Sequence, residues 1–171
     1  MTGLFVYAHL AQSATMPEDA ATMTETSLYD RIGGAATIDA LVDSFYARMD
    51  QLDEARTIRA MHPQDLAPLG QVLKDYLSEW LGGPALFSPV RGHPRMRQRH
   101  MRVPIDSAAR DAWLTCMRGA LTETVADEQA RAAIHESMAR LADWMRNVPD
   151  KEGPDREGPD TEPAETTISQ N

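Results

Sequence analysis

The sequence predicts an all-α protein, and three observations predict this fold class. Apolar side chains recur three or four residues apart in several segments, which is the spacing of one face of an α-helix. Glycines and prolines lie between these segments, at points where a helix has to end. No segment shows the alternation of apolar and polar residues that is typical of a half-buried strand. We therefore expect layers of helices packed around one core.

Two apolar stripes predict the first two main helices. The first stripe comprises Ile38, Leu41, Val42, Phe45, Tyr46 and Met49. The pair Gly33-Gly34 precedes this helix, and Thr37 is expected to cap its N-terminus. The second stripe comprises Leu66, Leu69, Leu73, Tyr76, Leu77 and Trp80. The run Gly82-Gly83-Pro84 follows it and is a strong signal for the end of a helix.

A loop and then a short helix are predicted before residue 100. Three prolines and a glycine between residues 84 and 94 favour turns over a long helix. A short helix is expected from Pro94, in its first turn, to His100. Its spacing places Met96 and His100 on one face.

Two further helices are predicted toward the C-terminus. Asp106 or Ser107 is expected to open the first of them. Its apolar side comprises Ala109, Trp113, Cys116, Met117, Ala120 and Thr124. The last helix has an apolar side that comprises Ala130, Ile134, Ser137, Met138, Leu141 and Met145. These helices complete a single domain.

The domain is expected to span residues 27–148 of the 171. The N-terminal extension, residues 1–26, has no sustained helical face and is predicted to be disordered. The acidic tail, residues 149–171, repeats Glu-Gly-Pro-Asp and is also predicted to be disordered, because such a composition buries too little apolar surface to offset the entropy of ordering.

The net charge of −9 is concentrated in the two ends of the chain. Residues 1–26 contain three acids and no Lys or Arg, and residues 150–171 contain seven acids against two basic residues. The remaining residues, 27–149, are therefore close to neutral, with fifteen basic and sixteen acidic side chains. A single cysteine, Cys116, excludes a disulfide within the chain. The apolar run at residues 4–8 is too short for a membrane span, so we expect a soluble, cytoplasmic protein.

Six short motifs occur in the domain and identify a family resemblance. They are Tyr29-Asp-Arg-Ile-Gly-Gly34, Phe45-Tyr46, Trp80-Leu-Gly-Gly-Pro84, Gly92-His-Pro-Arg95, Arg99-His100 and Arg110-Asp-Ala-Trp-Leu114. In this order they resemble the truncated haemoglobins of group II, over about residues 27–147. The resemblance implies a globin-like two-over-two α-helical sandwich. It also implies haem b (iron protoporphyrin IX), held without covalent links because the chain has no Cys-x-x-Cys-His.

The resemblance also implies roles for residues around the haem. His100 matches the proximal iron ligand, and a carbonyl partner for its second ring nitrogen would fix its tautomer. Tyr46, next to Phe45, matches the distal tyrosine that donates a hydrogen bond to a bound diatomic ligand. Trp113 matches a pocket tryptophan whose indole N–H only donates. The alternatives are a surface position for His100 and simple core packing for the two aromatic side chains.

Further positions complete the expected distal side and haem contacts. His62 stands where many group II members have a tyrosine or phenylalanine, and the alternative is a loop histidine facing solvent. Leu69 and Leu73 stand where other members often have polar residues, so they are expected to restrict access. Arg99 is the first candidate to pair with a haem propionate. The remaining expected haem contacts are Phe45, Trp80, Phe87 and Met96.

An arginine-rich segment raises a second possible partner class. It comprises Arg91, Arg95, Arg97, Arg99 and Arg102, with no acid among them. Aromatic residues are scarce in this segment and the domain is nearly neutral, so nucleic acid is not an expected partner. The expected partners are dioxygen and other diatomic ligands, and the chain is expected to be a monomer or a homodimer.

Three classes of function follow from the sequence. The first is reversible binding of dioxygen, with nitric oxide and carbon monoxide as further ligands of the ferrous haem. The second is a redox enzyme, either a nitric oxide dioxygenase or a peroxidase, which would need a separate reductase because the chain has no dinucleotide-binding fingerprint. The third is a haem-based sensor or interaction protein that uses the acidic tail. A fold alone does not distinguish these functions.

Overall fold

The computed structural model describes residues 26–150, and every regular element in that range is a helix. The all-α prediction is therefore confirmed. Nearly all of the extension and the acidic tail lies outside the described residues. The helices within the described range are α1 (Leu28–Ile32), α2 (Gly34–Gln51), α3 (Arg56–Ala60), α4 (Ala67–Trp80), α5 (Ser88–Arg91), α6 (Met96–His100), α7 (Ser107–Thr124) and α8 (Glu128–Met145), with a 3-10 turn at Asp53–Ala55.

The junction between α1 and α2 depends on two glycines. Gly33 and Gly34 adopt φ angles of +103° and +67°, which place both in the left-handed region that side chains with a Cβ rarely occupy. Helix α2 therefore begins at Gly34, and the expectation that Thr37 caps its N-terminus is wrong. The Thr37 hydroxyl instead donates to the Ile32 carbonyl oxygen at 2.6 Å, which fastens α2 to α1.

Two pairs of long helices enclose the core. Helix α2 packs on α4, α7 packs on α8, and α2 crosses α7 at the centre of the molecule. The side chains buried between them include Leu41, Val42, Phe45, Met49, Cys116, Met117, Leu121 and Ile134. Removing a side chain of this size from water stabilises the fold by about 1.5–3 kcal/mol. Contacts between these pairs hold the molecule together.

Helix α1 lies close to the end of α4, so the motif that begins at Tyr29 contacts the motif that ends at Pro84. The backbone N–H of Tyr29 donates to the Leu81 carbonyl oxygen at 3.0 Å. The Tyr29 ring lies against Gly83 so closely that a Cβ there would meet its Cγ at 2.5 Å. That Cβ would also lie 2.8 Å from the Ser78 carbonyl oxygen. Only glycine allows this contact.

The segment between α4 and α7 differs from the sequence prediction. The expected loop contains helix α5, whose first amides are held by Glu79: its carboxylate accepts from Phe87 N at 3.0 Å and from Ser88 N at 2.8 Å. These amide hydrogen bonds, chiefly the one from Ser88, lower the pKa of Glu79. Pro94 lies before α6 and not in its first turn, because Arg95 takes a left-handed conformation with φ of 43° and the helix begins at Met96.

Each of the two C-terminal helices begins at an aspartate cap, and α7 begins where the sequence predicts. The Asp106 side chain accepts a hydrogen bond from Ala109 N at 2.8 Å and caps α7. Asp127 caps α8 in the same way, through Ala130 N at 2.9 Å. None of the helices in the described residues is both long and apolar enough to cross a bilayer.

Candidate functional site

His100 ends the short helix α6, with its ring partly buried. Its Nδ1 lies 2.7 Å from the Met96 carbonyl oxygen, one turn earlier in the same helix. A carbonyl oxygen can only accept a hydrogen bond, so Nδ1 has to bear the hydrogen. The neutral ring then keeps the lone pair on Nε2, which is the atom available to coordinate a metal. The carbonyl partner expected for His100 is therefore Met96.

Phe45, Tyr46, Trp113 and His62 form an aromatic cluster. The rings of Phe45 and Tyr46 are 5.0 Å apart and meet edge to face, and Phe45 lies 5.3 Å from the ring of Trp113. The His62 ring lies 6.2 Å from the Tyr46 ring, also edge to face. Helix α2 supplies the first two side chains, α7 supplies Trp113, and the end of α3 leads to His62. The fold therefore brings together residues far apart in sequence.

The Tyr46 hydroxyl is a hydrogen-bond donor that the described part of the chain does not use. Burial of the ring raises the pKa of Tyr46 to about 12, so the phenol remains protonated at neutral pH. No hydrogen-bond partner for this hydroxyl occurs among residues 26–150. A hydroxyl without a protein partner, on a half-buried ring, can donate to a ligand that accepts a hydrogen bond.

The structure limits the hydrogen bonds that His62 can make more than the sequence indicates. Its Nδ1 lies 2.7 Å from the Ile58 carbonyl oxygen, so this nitrogen has to bear the hydrogen. In the neutral ring Nε2 is then an acceptor. His62 can accept a hydrogen bond from Tyr46 or from a bound molecule, but as a neutral ring it has no second hydrogen to donate.

Helix α4 supplies the aliphatic wall beside this cluster. Leu69 and Leu73 are both half-buried, and Leu73 packs against the core. Gly70 lies between them and brings the helix close to α2, since a Cβ there would lie 3.9 Å from the rings and methyls of Tyr46 and Val42. The two leucines bring no hydrogen-bonding group to this wall.

A second aromatic group lies on the α4–α5 side. Tyr76 stacks on Trp80 at 6.3 Å and meets the edge of the buried Phe87 at 5.7 Å. The Arg99 guanidinium lies 5.9 Å from the centre of the Phe87 ring. Its Nε and Nη2 donate to the carbonyl oxygens of Pro94 at 2.8 Å and Arg91 at 3.2 Å. A propionate partner for Arg99 would therefore have to use its remaining N–H groups or displace these contacts.

Sequence reasoning did not select two residues that the structure places at the site. Tyr76 joins Trp80 to Phe87, and its position four residues before Trp80 on one helix face is the signal that indicates it. Asn147 donates through Nδ2 to the carbonyl oxygens of His100 at 3.0 Å and Val103 at 2.9 Å. Asn147 lies outside every motif, so the sequence contains no comparable signal for it.

These residues fit a haem. An iron porphyrin needs one axial imidazole nitrogen, an apolar slot and a controlled distal pocket. His100 would offer Nε2, and the phenol of Tyr46 and the indole of Trp113 would offer donors beside the buried Phe45. Two crossed helix pairs with such a cluster define the class of protein as a shortened globin of the two-over-two type.

Comparisons with known proteins agree with this class. The profile of the family described as bacterial-like globin matches residues 27–147. The group 2 truncated hemoglobin YjbI of Bacillus subtilis is 32% identical over 124 residues, which cover 72% of this chain and 91% of that protein. The chain therefore belongs to the bacterial-like globin family, and the predicted resemblance to group II truncated haemoglobins is confirmed.

Solved structures give the same result. The group II 2-on-2 hemoglobin of Agrobacterium tumefaciens superposes with a TM-score of 0.72 at 43% identity, over 75% of this chain and 99% of that one. The cold-adapted truncated hemoglobin of Pseudoalteromonas haloplanktis TAC125 gives 0.71 at 37% identity, over 72% and 99% of the two chains. The predicted two-over-two sandwich is thus confirmed, and with the family comes the general function of binding small gases at a haem.

Proposed function

We propose that this chain holds a haem b through Nε2 of His100 and reversibly binds dioxygen at the ferrous iron. The observation that supports this assignment is the 2.7 Å contact between His100 Nδ1 and the Met96 carbonyl oxygen. This contact fixes the hydrogen on Nδ1 and leaves the lone pair on Nε2, as is typical of metal-bound histidines. The haem is held without thioether links, because the single cysteine is buried in the core.

The chain's own side chains would set how long a gas molecule stays. The haem, when bound, supplies the ferrous iron to which a diatomic ligand attaches. The Tyr46 phenol donates a hydrogen bond to the ligand, and the Trp113 indole N–H is a second donor. His62 lies beside Tyr46, and its acceptor Nε2 competes with the ligand for the single hydrogen of the Tyr46 hydroxyl. Each added hydrogen bond contributes about 0.5–1.5 kcal/mol to retention of the ligand.

The aliphatic and aromatic walls would exclude water from the ligand. Leu69 and Leu73 line the α4 side and restrict access without offering hydrogen bonds. Phe45, almost fully buried, separates the ligand side from the α2–α7 core. In such a water-poor pocket a hydrogen bond from Tyr46 is stronger than the same bond would be in water.

The proposal also includes the residues around the edge of the haem, the location of the protein and its partners. Trp80, Phe87 and Met96 would contact the porphyrin, and Arg99 would pair with a propionate through the N–H groups that do not donate to Pro94 and Arg91. The protein acts in the cytoplasm, as a monomer or homodimer, and a separate reductase returns the iron to the ferrous state. Nitric oxide and carbon monoxide bind at the same position as dioxygen.

Absorption spectra of purified, haem-loaded protein test the assignment. Ferric, ferrous and oxygen-exposed spectra are recorded for the wild type, His100→Ala and His135→Ala. His135 is a half-buried histidine on α8, so its variant is a matched control for loss of an imidazole. We expect one haem per chain and a stable oxygen spectrum in the wild type and the control, both lost in His100→Ala. A wild-type spectrum in His100→Ala would refute the ligand assignment.

A further inference from the structure

The carbonyl end of helix α6 is held by a side chain from beyond the last helix. Asn147 follows α8 and lies partly buried beside His100. Its Nδ2 donates to the carbonyl oxygens of His100 at 3.0 Å and Val103 at 2.9 Å, and its Oδ1 accepts from Ile105 N at 3.0 Å. Its backbone N–H donates to the Ile105 carbonyl oxygen at 2.9 Å. We propose that Asn147 is a positioning residue that sets the orientation of His100 toward the iron.

Helix α6 is too short to hold its own position. It has five residues, so most of its carbonyl groups lack a partner within the helix. Its N-terminal side begins at Arg95 in a left-handed conformation without a side-chain cap. A helix of this length gains little stability from its own hydrogen bonds, so tertiary contacts have to fix it.

Two side chains link α6 to the end of α8. They hold different parts of α6. Arg97 donates to the carbonyl oxygens of Trp144 and Arg146, and its guanidinium lies 5.7 Å from the centre of the Trp144 ring. These contacts hold the side chain of Arg97. Asn147 instead binds the peptide group of His100 itself, so it acts on the backbone from which the imidazole extends.

The ring of His100 and its hydrogen-bond partner move together. Nδ1 is bonded to Met96, which belongs to the same short helix, so that bond does not fix α6 relative to the rest of the molecule. Asn147 fixes the position of α6 relative to the rest of the molecule, because it links the last carbonyl oxygen of α6 to the segment that leads into α7. This inference rests on the proposed function, since it concerns the angle at which Nε2 meets the iron.

The chemistry of the side chain makes a sharp test available. Asn147→Asp keeps the size and the acceptor for Ile105 N, but it replaces both amide hydrogens with a carboxylate oxygen that repels two carbonyl groups. Asn147→Gln keeps both donors on a longer side chain, so it is expected to restore part of the wild-type behaviour. Asp127→Ala removes the cap of α8 at the opposite end of that helix and is the control for general destabilisation.

The experiment measures the haem-loaded full chain in two ways. Hydrogen–deuterium exchange reports the opening of residues 96–103, and resonance Raman spectroscopy of the ferrous protein reports the iron–histidine stretching band. In Asn147→Asp we expect faster exchange confined to residues 96–103, a shifted band and haem loss faster by about tenfold or more. Asn147→Gln is expected to lie between, and Asp127→Ala to leave the band in place.

Two results separate a failure of this inference from a failure of the proposed function. If the wild type loads haem through His100 and Asn147→Asp changes neither the exchange nor the band, the positioning role alone is refuted. The same holds if Asp127→Ala shifts the band equally. If the wild type takes up no haem, the proposed function and the role of Asn147 toward iron are both refuted. Should Asn147→Asp fail to fold, Asn147→Ala, which removes both donors without adding a charge, has to shift the band, and an unshifted band refutes the role.

Discussion

Tyr46 combines two properties that a side chain chosen for packing alone would avoid. Its ring is mostly buried between Phe45 and His62, yet its hydroxyl has no hydrogen-bond partner within residues 26–150. Folded proteins retain such groups chiefly where a ligand or an ordered water supplies the missing acceptor. The proposal that hydrogen bonds retain the bound gas molecule therefore depends most directly on the Tyr46 hydroxyl.

Replacing Tyr46 with phenylalanine tests that role. Tyr46→Phe keeps the ring contacts and removes the donor, so oxygen is expected to dissociate faster by about tenfold, the equivalent of roughly 1.4 kcal/mol. Stopped-flow displacement of oxygen by carbon monoxide measures the rate. Tyr76→Phe removes another half-buried phenol, which lies beside Trp80 and Phe87 and outside the Tyr46 cluster, and is the matched control. An unchanged off-rate in Tyr46→Phe would contradict the distal role.

The same phenol predicts a loss of stability at high pH. Burial raises the pKa of Tyr46 to about 12, whereas an unfolded tyrosine ionises near 10. The stability that this difference contributes is complete below pH 10 and is lost as the pH rises toward 12. Urea unfolding of the wild type and Tyr46→Phe between pH 8 and about 11.5 measures it. The wild type should lose more unfolding free energy than the variant, and parallel curves would refute the prediction.

At the scale of the helices, two glycines predict opposite effects of the same substitution. Gly83→Ala forces a Cβ to 2.5 Å from the Tyr29 ring and 2.8 Å from a backbone oxygen, so it should cost about 1–3 kcal/mol of unfolding free energy. Gly70→Ala, inside α4, meets its neighbours at 3.9 Å, so the better helix former should stabilise by about 0.5–1 kcal/mol. Urea unfolding of both variants, compared with the wild type, decides the sign.

The long helices could be predicted from sequence because their apolar faces are long and regular. Helices α2, α7 and α8 contain their predicted stripes in full, and α4 contains its stripe except Leu66, which precedes its first residue. The short helix α6 was also predicted, although its start was placed at Pro94 instead of Met96. Helix α5 could not be predicted, since a four-residue helix has no periodicity to detect and this one depends on the distant Glu79 carboxylate. The start of α2 was misplaced for a related reason, because the glycine pair begins the helix without the polar cap that Thr37 suggested.

Part of the candidate site could be predicted from the motifs alone. The motifs contain Tyr46, His100 and Trp113, and the structure places Tyr46 and Trp113 around Phe45. The hydrogen position on His62 could not be predicted, since it depends on the Ile58 carbonyl that the fold brings near it. Asn147 was missed because a buried amide far along the chain resembles any polar residue after a helix. A role that depends on a tertiary hydrogen bond leaves no periodic pattern in the sequence, so it cannot be predicted from residue spacing.

At the scale of the whole molecule, acidic side chains join helices that are distant in sequence. Asp127 caps α8 and pairs with Arg31 of α1 at 2.8 Å, while Glu123 accepts from Ser44 and Arg48 of α2. These contacts lower the pKa of both carboxyl groups, for Asp127 chiefly through the Ala130 amide and for Glu123 chiefly through the Ser44 hydroxyl. Ionisation of these exposed groups therefore adds a modest contribution to stability.

Acid is expected to weaken the molecule through these carboxylates. A lowered pKa in the folded state gives stability that is complete above the unfolded value, near 4, and is lost as the pH falls below it. The unfolding free energy of the wild type should therefore fall between about pH 5 and pH 3. Asp127→Asn should flatten this fall, whereas Asp53→Asn, at an exposed pair with Arg56, should not. Equal slopes in all three proteins would contradict the prediction.

The lone thiol gives the molecule a built-in kinetic probe. Cys116 is fully buried, and burial raises the pKa of its thiol, so an alkylating reagent can react only when the core transiently opens. Trp113 lies one turn earlier on α7, so the opening that exposes the thiol also disturbs the wall of the pocket. The rate of thiol labelling, compared between haem-loaded and haem-free protein, would therefore measure how much a bound haem reduces transient opening of the core beside Trp113.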